Sequence, residues 1–281
     1  MRLAYFGTPA MAVPPLQALV AAGHDVALVV TRIDKRRGRG SALGPSPVKA
    51  AAIALGLPVS HSVDDVLGRA IELGVVVAFG QLIKPHVLLP FPRGVPMVNL
   101  HFSLLPRWRG AAPVERALLA GDTETGVCLM QLEEGLDTGP IYDTVRVPIL
   151  PTVTADDLRQ ELVAVGTTQL VRCLAAPLGT PVPQQGEPVH AAKIRPEELR
   201  IDWSQPAEQI DRVVRLGGAW AMFRGKRVKV IAAVRDEAGS GVLERPVAGL
   251  RLLVVQPQGK GPMALADFAR GARPEPGEAF E

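Results

Sequence analysis

The sequence predicts an α/β protein: a parallel sheet covered by helices, followed by a small, mostly β domain. Three observations carry this. Short apolar runs alternate with helix-length segments over the first 101 residues. The runs are apolar at consecutive positions, as in strands buried on both faces beneath helical crossovers. Past a proline-rich stretch the texture changes to alternating, strand-like segments.

The elements follow in order. Residues 3–6 form an apolar run that ends at Gly7, and 13–22 reads as a helix stopped by Gly23. Residues 26–30 form a second buried strand, and 48–55 a helix ending at Gly56. Residues 75–79 form a continuous strand closed by Gly80, and 97–101 another. Two further strands are expected over 127–132 and 141–147. A long helix over 154–174 has Thr154 as N-cap and two aspartates in its first turn. Pro177, Pro181, Pro183 and Pro188 then mark an extended, semi-rigid linker. The expected organisation is a domain over 1–176, a linker over 177–203 and a second domain over 204–281. That second domain opens with a helix whose Ile210, Val213 and Val214 form an i, i+3, i+4 stripe ended by Gly217 and Gly218. Strands over 227–234 and 250–255 follow, on a scale where one barrel can just form.

The chain has 281 residues, of which 47% are hydrophobic and 21% charged, values that exclude disorder as the dominant state. Aromatic residues make up only 4%, which argues against reading single strands chiefly by base stacking. The net charge of +3 is unevenly spread. Arg32, Lys35, Arg36, Arg37 and Arg39 face Asp34 alone within one short window, a local feature suited to an anionic partner and otherwise a solvated loop. The two cysteines, Cys128 and Cys173, lie in apolar stretches with no CxxC or Cys/His neighbourhood. Neither a metal site nor a disulfide framework is expected, and a reducing compartment fits. No apolar run reaches the ~18 residues of a membrane span, and the first residues break too soon to be a signal peptide, so a cytoplasmic location is expected.

Four segments could do chemistry. The turn Phe6-Gly7-Thr8-Pro9 sits where a dinucleotide fold carries its glycines, but it lacks the second and third of them and its prolines remove donors. A nicotinamide site, and with it a dehydrogenase, is disfavoured. On the strand Met97-Val98-Asn99-Leu100-His101, Asn99 and His101 point to the same side. An amide beside an imidazole at a strand carboxyl end suits carbonyl chemistry: the imidazole moves a proton and the amide stabilises an oxyanion. The bland reading is a hydrogen-bonded strand-end pair. In Gly135-Leu136-Asp137-Thr138-Gly139-Pro140 a single acid is framed by glycines. Asp137 could orient His101 or charge-stabilise it, or simply close an Asx-turn. Ser103, Leu104, Leu105 and Pro106 offer an apolar wall for a flat heterocycle, or only a turn.

NLHFSLLPRWRGAAPVERALLAGDTETGV followed by GLDTGP resembles the methionyl-tRNA formyltransferases, a branch of the folate-dependent formyltransferases. The likeness runs through nearly the whole chain, from FGTP and the basic loop DKRRGRG with PSPVK to LRIDW and QPQGKGPM. It implies a Rossmann-like catalytic domain and an OB-like C-terminal barrel. It implies transfer of a formyl group from 10-formyltetrahydrofolate to the α-amine of methionyl-initiator tRNA, with no metal, by a cytoplasmic monomer. Asn99, His101 and Asp137 match the catalytic set, and Ser103, Leu104, Leu105 and Pro106 the folate site. The implied tRNA contacts are Arg36, Arg37 and Arg39 on the loop and Arg224, Lys226, Arg227 and Lys229 in the second domain. Three features depart from the family pattern: Phe102, where a small residue is usual; GGAWAMF over 217–223; and a shortened segment between Val242 and Leu250. Two other functions fit parts of the chain. One is formyl transfer to a sugar-nucleotide or purine-precursor amine. The other is non-catalytic RNA binding, which leaves the placing of Asn99, His101 and Asp137 unexplained.

Overall fold

A computed structural model describes residues 1–37, 42–88, 96–235 and 249–281. The elements in chain order are β1 (Arg2–Gly7), α1 (Val13–Ala21), β2 (Asp25–Val30), β3 (Lys35–Arg37), β4 (Ala42–Gly44), α2 (Pro47–Ala54) and β5 (Val59–Ser60). Next come β6 (Leu73–Val77), α3 (Pro85–Leu88), β7 (Met97–His101), β8 (Arg107–Gly110), α4 (Pro113–Ala120), β9 (Glu124–Gln131), β10 (Ile141–Pro148) and α5 (Ala155–Leu174). The chain finishes with β11 (Val189–Ala191), α6 (Ala207–Arg215), β12 (Trp220–Phe223), β13 (Lys226–Arg235), β14 (Leu250–Pro257), β15 (Met263–Ala264) and α7 (Leu265–Ala272).

Two compact units result. One comprises Met1–Val114, Glu124–Pro148 and Arg159–Ala192; the other comprises Glu115–Thr123, Ile149–Leu158 and Lys193–Glu281. The first holds a seven-stranded sheet in the order β10-β9-β7-β6-β1-β2-β5. Five neighbours, β7 to β5, run parallel, with buried residues such as Leu3, Phe6, Val29, Val75 and Leu100 along them. The strands at the other edge differ from the all-parallel expectation. β9 is antiparallel to β7, and β10 to β9. Consecutive elements step away from β1 through β2 and β5, and then return to its other side through β6 and β7. That reversal makes a crevice beyond the carboxyl ends of β1 and β6, where open α/β sheets bind ligands.

Glycines and caps end the elements where the sequence places them. Gly23 and Gly56 adopt φ of 82° and 68° just past α1 and α2. Thr154 Oγ1 accepts the Asp157 amide at 3.2 Å, capping α5. The strand expected over 75–79 is instead Leu73–Val77, because Ala78 turns into the left-handed region at φ 45°. At the basic window the described strands β3 and β4 form a short antiparallel ladder. Ser46 and Lys49 pin its base: the Ser46 hydroxyl meets Thr31 Oγ1 at 2.7 Å, and Lys49 Nζ donates to both Asp34 oxygens at 2.8 and 2.9 Å.

The proline-rich connection is extended, yet it is attached. Val182 and Ile141 exchange both backbone hydrogen bonds at 2.8 Å, and β11 pairs in parallel with β8. In the second unit the described residues form a four-stranded antiparallel sheet, β12-β13-β14-β15, in sequence order. This is the small antiparallel β domain expected, and most of the shortened segment before Leu250 lies outside the described residues. Ile210, Val213 and Val214 of α6 are buried against Val228, Val230, Leu250 and Leu252, with Phe223 and Phe280 in edge-on ring contact.

Gly126 shows how closely the site's supporting strands approach. A Cβ there would stand 2.2 Å from the Val145 carbonyl oxygen and 2.5 Å from Leu104 Cδ2. Gly126→Ala should therefore destabilise the protein by about 1–3 kcal/mol, read as a lower urea midpoint.

Candidate active site

Strand alternation puts Asn99 and His101 on one side of β7, and both are buried. The loop after β9 brings Asp137 to them. Its Oδ1 accepts from Asn99 Nδ2 at 3.5 Å, and its Oδ2 lies 3.6 Å from His101 Nδ1. The three residues expected to act together are therefore one cluster at a strand carboxyl end.

Two backbone groups of β8 complete the cluster, and pattern reading missed both. Trp108, at φ 67°, turns its carbonyl oxygen toward His101 Nε2, 3.0 Å away. A carbonyl only accepts, so Nε2 carries a proton and donates; in the neutral ring Nδ1 is then the basic nitrogen, and it faces Asp137. Gly110, at φ 124°, donates its amide to Asp137 Oδ2 at 2.8 Å. A Cβ at Gly110 would lie 2.9 Å from the Ala191 carbonyl oxygen, so β11 crowds the site into needing glycine. The only sequence signal for this was the Arg-Gly-Ala run itself.

Asp137 is held at φ 51°, a conformation that costs a non-glycine residue on the order of 1–3 kcal/mol and persists only where surroundings enforce it. The Asx-turn alternative has its side chain bonding its own loop; instead the carboxylate reaches across to Gly110 and Asn99. Gly139 lets this loop pass, since a Cβ there would fall 2.0 Å from the Gln131 carbonyl oxygen.

The segment over 103–106 is more inward than a free wall. Ser103 is buried, and its hydroxyl donates to the Arg107 carbonyl at 2.7 Å. Leu105 packs with Cys128 and Met130, Pro106 is buried, and Leu104 is the half-buried member. Phe102 is buried, so the departure there is a packing residue. Thr8, in the turn after β1, donates its hydroxyl to the Phe79 carbonyl at 2.9 Å, linking β1 and β6 at the crevice.

The basic residues divide. Arg36 is exposed on β3, Arg37 ends that strand, and Arg39 lies outside the described residues. In the second unit Lys226 and Lys229 are exposed. Arg224 is already engaged: its guanidinium donates to both Glu278 oxygens at 2.6 and 2.7 Å and to the carbonyls of Ala272 and Arg273. The hydrogen bonds from Arg224 hold the Glu278 carboxyl below its ordinary range. Arg227 lies 4.3 Å over the Trp220 ring, and Arg200 is 5.6 Å from the same ring. No group of three or more His, Cys, Asp or Glu is placed to hold a metal among the described residues, and no described helix is long and apolar enough to cross a membrane.

An amide, an imidazole and a carboxylate gathered where a parallel sheet opens into a crevice is the layout of a group-transfer enzyme. Residues 1–174 match the family model for formyl transferase, and 193–273 that for the formyl transferase C-terminal domain. A methionyl-tRNA formyltransferase of Roseobacter denitrificans is 44% identical over 306 residues, covering 100% of this chain and 99% of that protein. One of Methylobacterium nodulans is 43% identical, covering 99% and 98%. The fold is also that of an N-formyltransferase from Helicobacter canadensis, crystallised with folinic acid and dTDP-3-aminofucose. That structure has a TM-score of 0.67 at 18% identity, covering 91% of this chain and 98% of that one. The chain belongs to the formyl transferase family and, within it, to the methionyl-tRNA formyltransferases.

The cluster sets the expected effects of substitution on transfer. His101→Ala should slow it by roughly 10²–10⁴-fold, the usual worth of general acid–base help. Asn99→Ala should cost on the order of 10²–10³-fold if its amide donates to an oxyanion. Single-turnover rates at saturating substrates measure both, and a loss under threefold at either position removes that residue from the chemistry.

Proposed function

We propose that this protein transfers the formyl group of 10-formyltetrahydrofolate to the α-amine of methionyl-initiator tRNA, with Asn99, His101 and Asp137 carrying the chemistry. The observation that carries the reading is the convergence of these three side chains in a chain that resembles its relatives through both domains.

The amine is the nucleophile, so no enzyme nucleophile is needed. It must be neutral to attack the formyl carbon. As the C–N bond forms, the carbonyl oxygen becomes an oxyanion, and Asn99 holds a second N–H free to donate to it. The attacking nitrogen then sheds a proton, and the N10 nitrogen of the folate must gain one as its bond to carbon breaks. His101 Nδ1 accepts the first and returns the second, directly or through a water. Nε2 stays committed to Trp108 throughout, so proton traffic is confined to the Nδ1 side. Asp137 sets a negative charge beside the ring when Nδ1 is protonated. In this reading the half-buried Leu104 faces the folate heterocycle, with Ser103, Leu105 and Pro106 shaping the turn behind it.

The tRNA part of the reading rests on charge and exposure. Arg36 and Arg37 lie on β3, Arg39 follows them outside the described residues, and Lys226, Lys229 and Arg227 share one strand. Arg224 enters as a member that would have to leave Glu278 to reach phosphate. The direct test is mass-spectrometric detection of formylmethionyl-tRNA from the formyl-folate and charged initiator tRNA, with uncharged tRNA as control; no transfer overturns the reading. tRNA affinity should fall with salt, with a log–log slope of about −0.7 to −0.9 per phosphate neutralised, while folate affinity changes much less. Arg39→Ala should leave folate KM intact and lower kcat/KM for Met-tRNA about 10–150-fold, since a charged hydrogen bond is worth roughly 1.5–3 kcal/mol. Unchanged tRNA kinetics would show the arginine to be only solvated.

A further inference from the structure

We infer that Gln184, from the proline-rich connection, is a positioning residue for the reaction. It clamps together the two backbone segments that present Asp137 and His101. The inference rests on the functional reading above.

Gln184 uses its whole hydrogen-bonding capacity at the site. Its Nε2 donates to the carbonyls of Asp137 and Gly139, both at 2.8 Å. Its Oε1 accepts from Arg109 Nε at 3.1 Å and Arg109 Nη2 at 2.6 Å. A primary amide offers two donors and one oxygen with two acceptor sites, so all are filled. On one side the amide grips the loop that holds Asp137 in the left-handed region. On the other it grips the residue between Trp108, whose carbonyl fixes His101, and Gly110, whose amide fixes the Asp137 carboxylate. The Asp137 segment is a loop, and β8 carries Trp108 and Gly110 at positive φ, so each departs from regular backbone where it serves the site. Gln184 can act as a clamp because its own backbone is anchored on both sides, by the Val182–Ile141 bridge and by β11 on β8.

Positioning should appear in kcat rather than in binding. The test compares Gln184→Met, Gln184→Glu and, as a neighbouring exposed control, Gln185→Met. Methionine keeps the length and loses every hydrogen bond. Glutamate keeps the shape and the Arg109 contact, but turns the donor edge into an acceptor facing two carbonyls. Both should lower kcat on the order of 10–10²-fold, the scale of a small misplacement of reacting groups, with KM for either substrate within threefold. Gln185→Met should match the wild type. A structural filler predicts the reverse order, with glutamate close to the wild type because it is isosteric.

A second readout needs no turnover. In histidine-¹⁵N-labelled protein, the His101 ring resonances should move in both Gln184 variants and stay in place in the control. Unmoved resonances, or a kcat within twofold of wild type in Gln184→Met, overturn the inference. If the wild type forms no formylated product, the functional reading falls, and the ring resonances still decide whether Gln184 sets the His101–Asp137 geometry.

Discussion

The site depends on one carboxylate held where its backbone would not go unaided. Asp137 sits at φ 51°, and its side chain is only 12% exposed. A nearly dry carboxylate is costly unless its lone pairs are met. The Gly110 amide meets one at 2.8 Å and the longer approach of Asn99 another, while His101 Nδ1 can serve the carboxylate only when protonated. Those partners come from β7 and from the end of β8, so the carboxylate ties two otherwise separate pieces of chain. The crowding around Gly110 and Gly139 follows from the same demand. Backbone must come close enough to serve Asp137, and at both positions a single methyl group would collide with a carbonyl oxygen.

How much of this was legible in the sequence depended on whether the signal was local. The pairing of Asn99 with His101 follows from the two-residue period of a strand, and the helix ends follow from Gly23, Gly56 and Thr154. The link from His101 to Asp137, 36 positions on, had no local signal; the family resemblance supplied it. The antiparallel edge strands β9 and β10 were foreseen as strands but not in direction, because a run of apolar residues reads alike either way. Gln184 was hidden by its setting. Four prolines in twelve residues suggest a spacer, and nothing in them tells that Val182 and β11 would fasten the spacer down. Likewise Trp108 and Gly110 act through backbone atoms, which every residue has, so only their unusual φ values set them apart.

Charge in the sequence also overstated what is free to act. The cluster Arg224, Lys226, Arg227 and Lys229 looks uniform as text. In the fold Arg224 closes on Glu278 and on carbonyls at the end of α7, and Arg227 lies on Trp220. Both are arginines, whose planar guanidinium suits bidentate pairing and stacking, whereas the two lysines stay exposed as point charges. Alternation along β13 turns Val228 and Val230 to the core, which leaves Arg227 and Lys229 together on the other face. Trp220, paired opposite Lys229 on β12, adds an aromatic surface to that face.

The cluster's chemistry follows from which of its partners are neutral and which are charged. Trp108 and Gly110 contribute backbone dipoles, fixed before substrate arrives and unable to titrate. Asp137 contributes the one formal charge. When the ring takes a proton at Nδ1, a neutral–negative pair becomes a positive–negative one at 3.6 Å, in surroundings with side chains only 6% and 12% exposed. In so dry a setting that change in pairing is worth more than it would be in water. In the proposed reaction it arises only once the proton has moved, which is when the oxyanion has formed and the leaving nitrogen needs its hydrogen. An interaction stronger in the transition state than in the resting complex is what accelerates a reaction, and in the proposed mechanism it is supplied without any donor or dipole having to reorient. A histidine on this strand with Nε2 free to rotate between partners would lose that advantage. The Trp108 carbonyl, turned to the ring by a left-handed residue within β8, is therefore as much a part of the proposed mechanism as the imidazole it fixes.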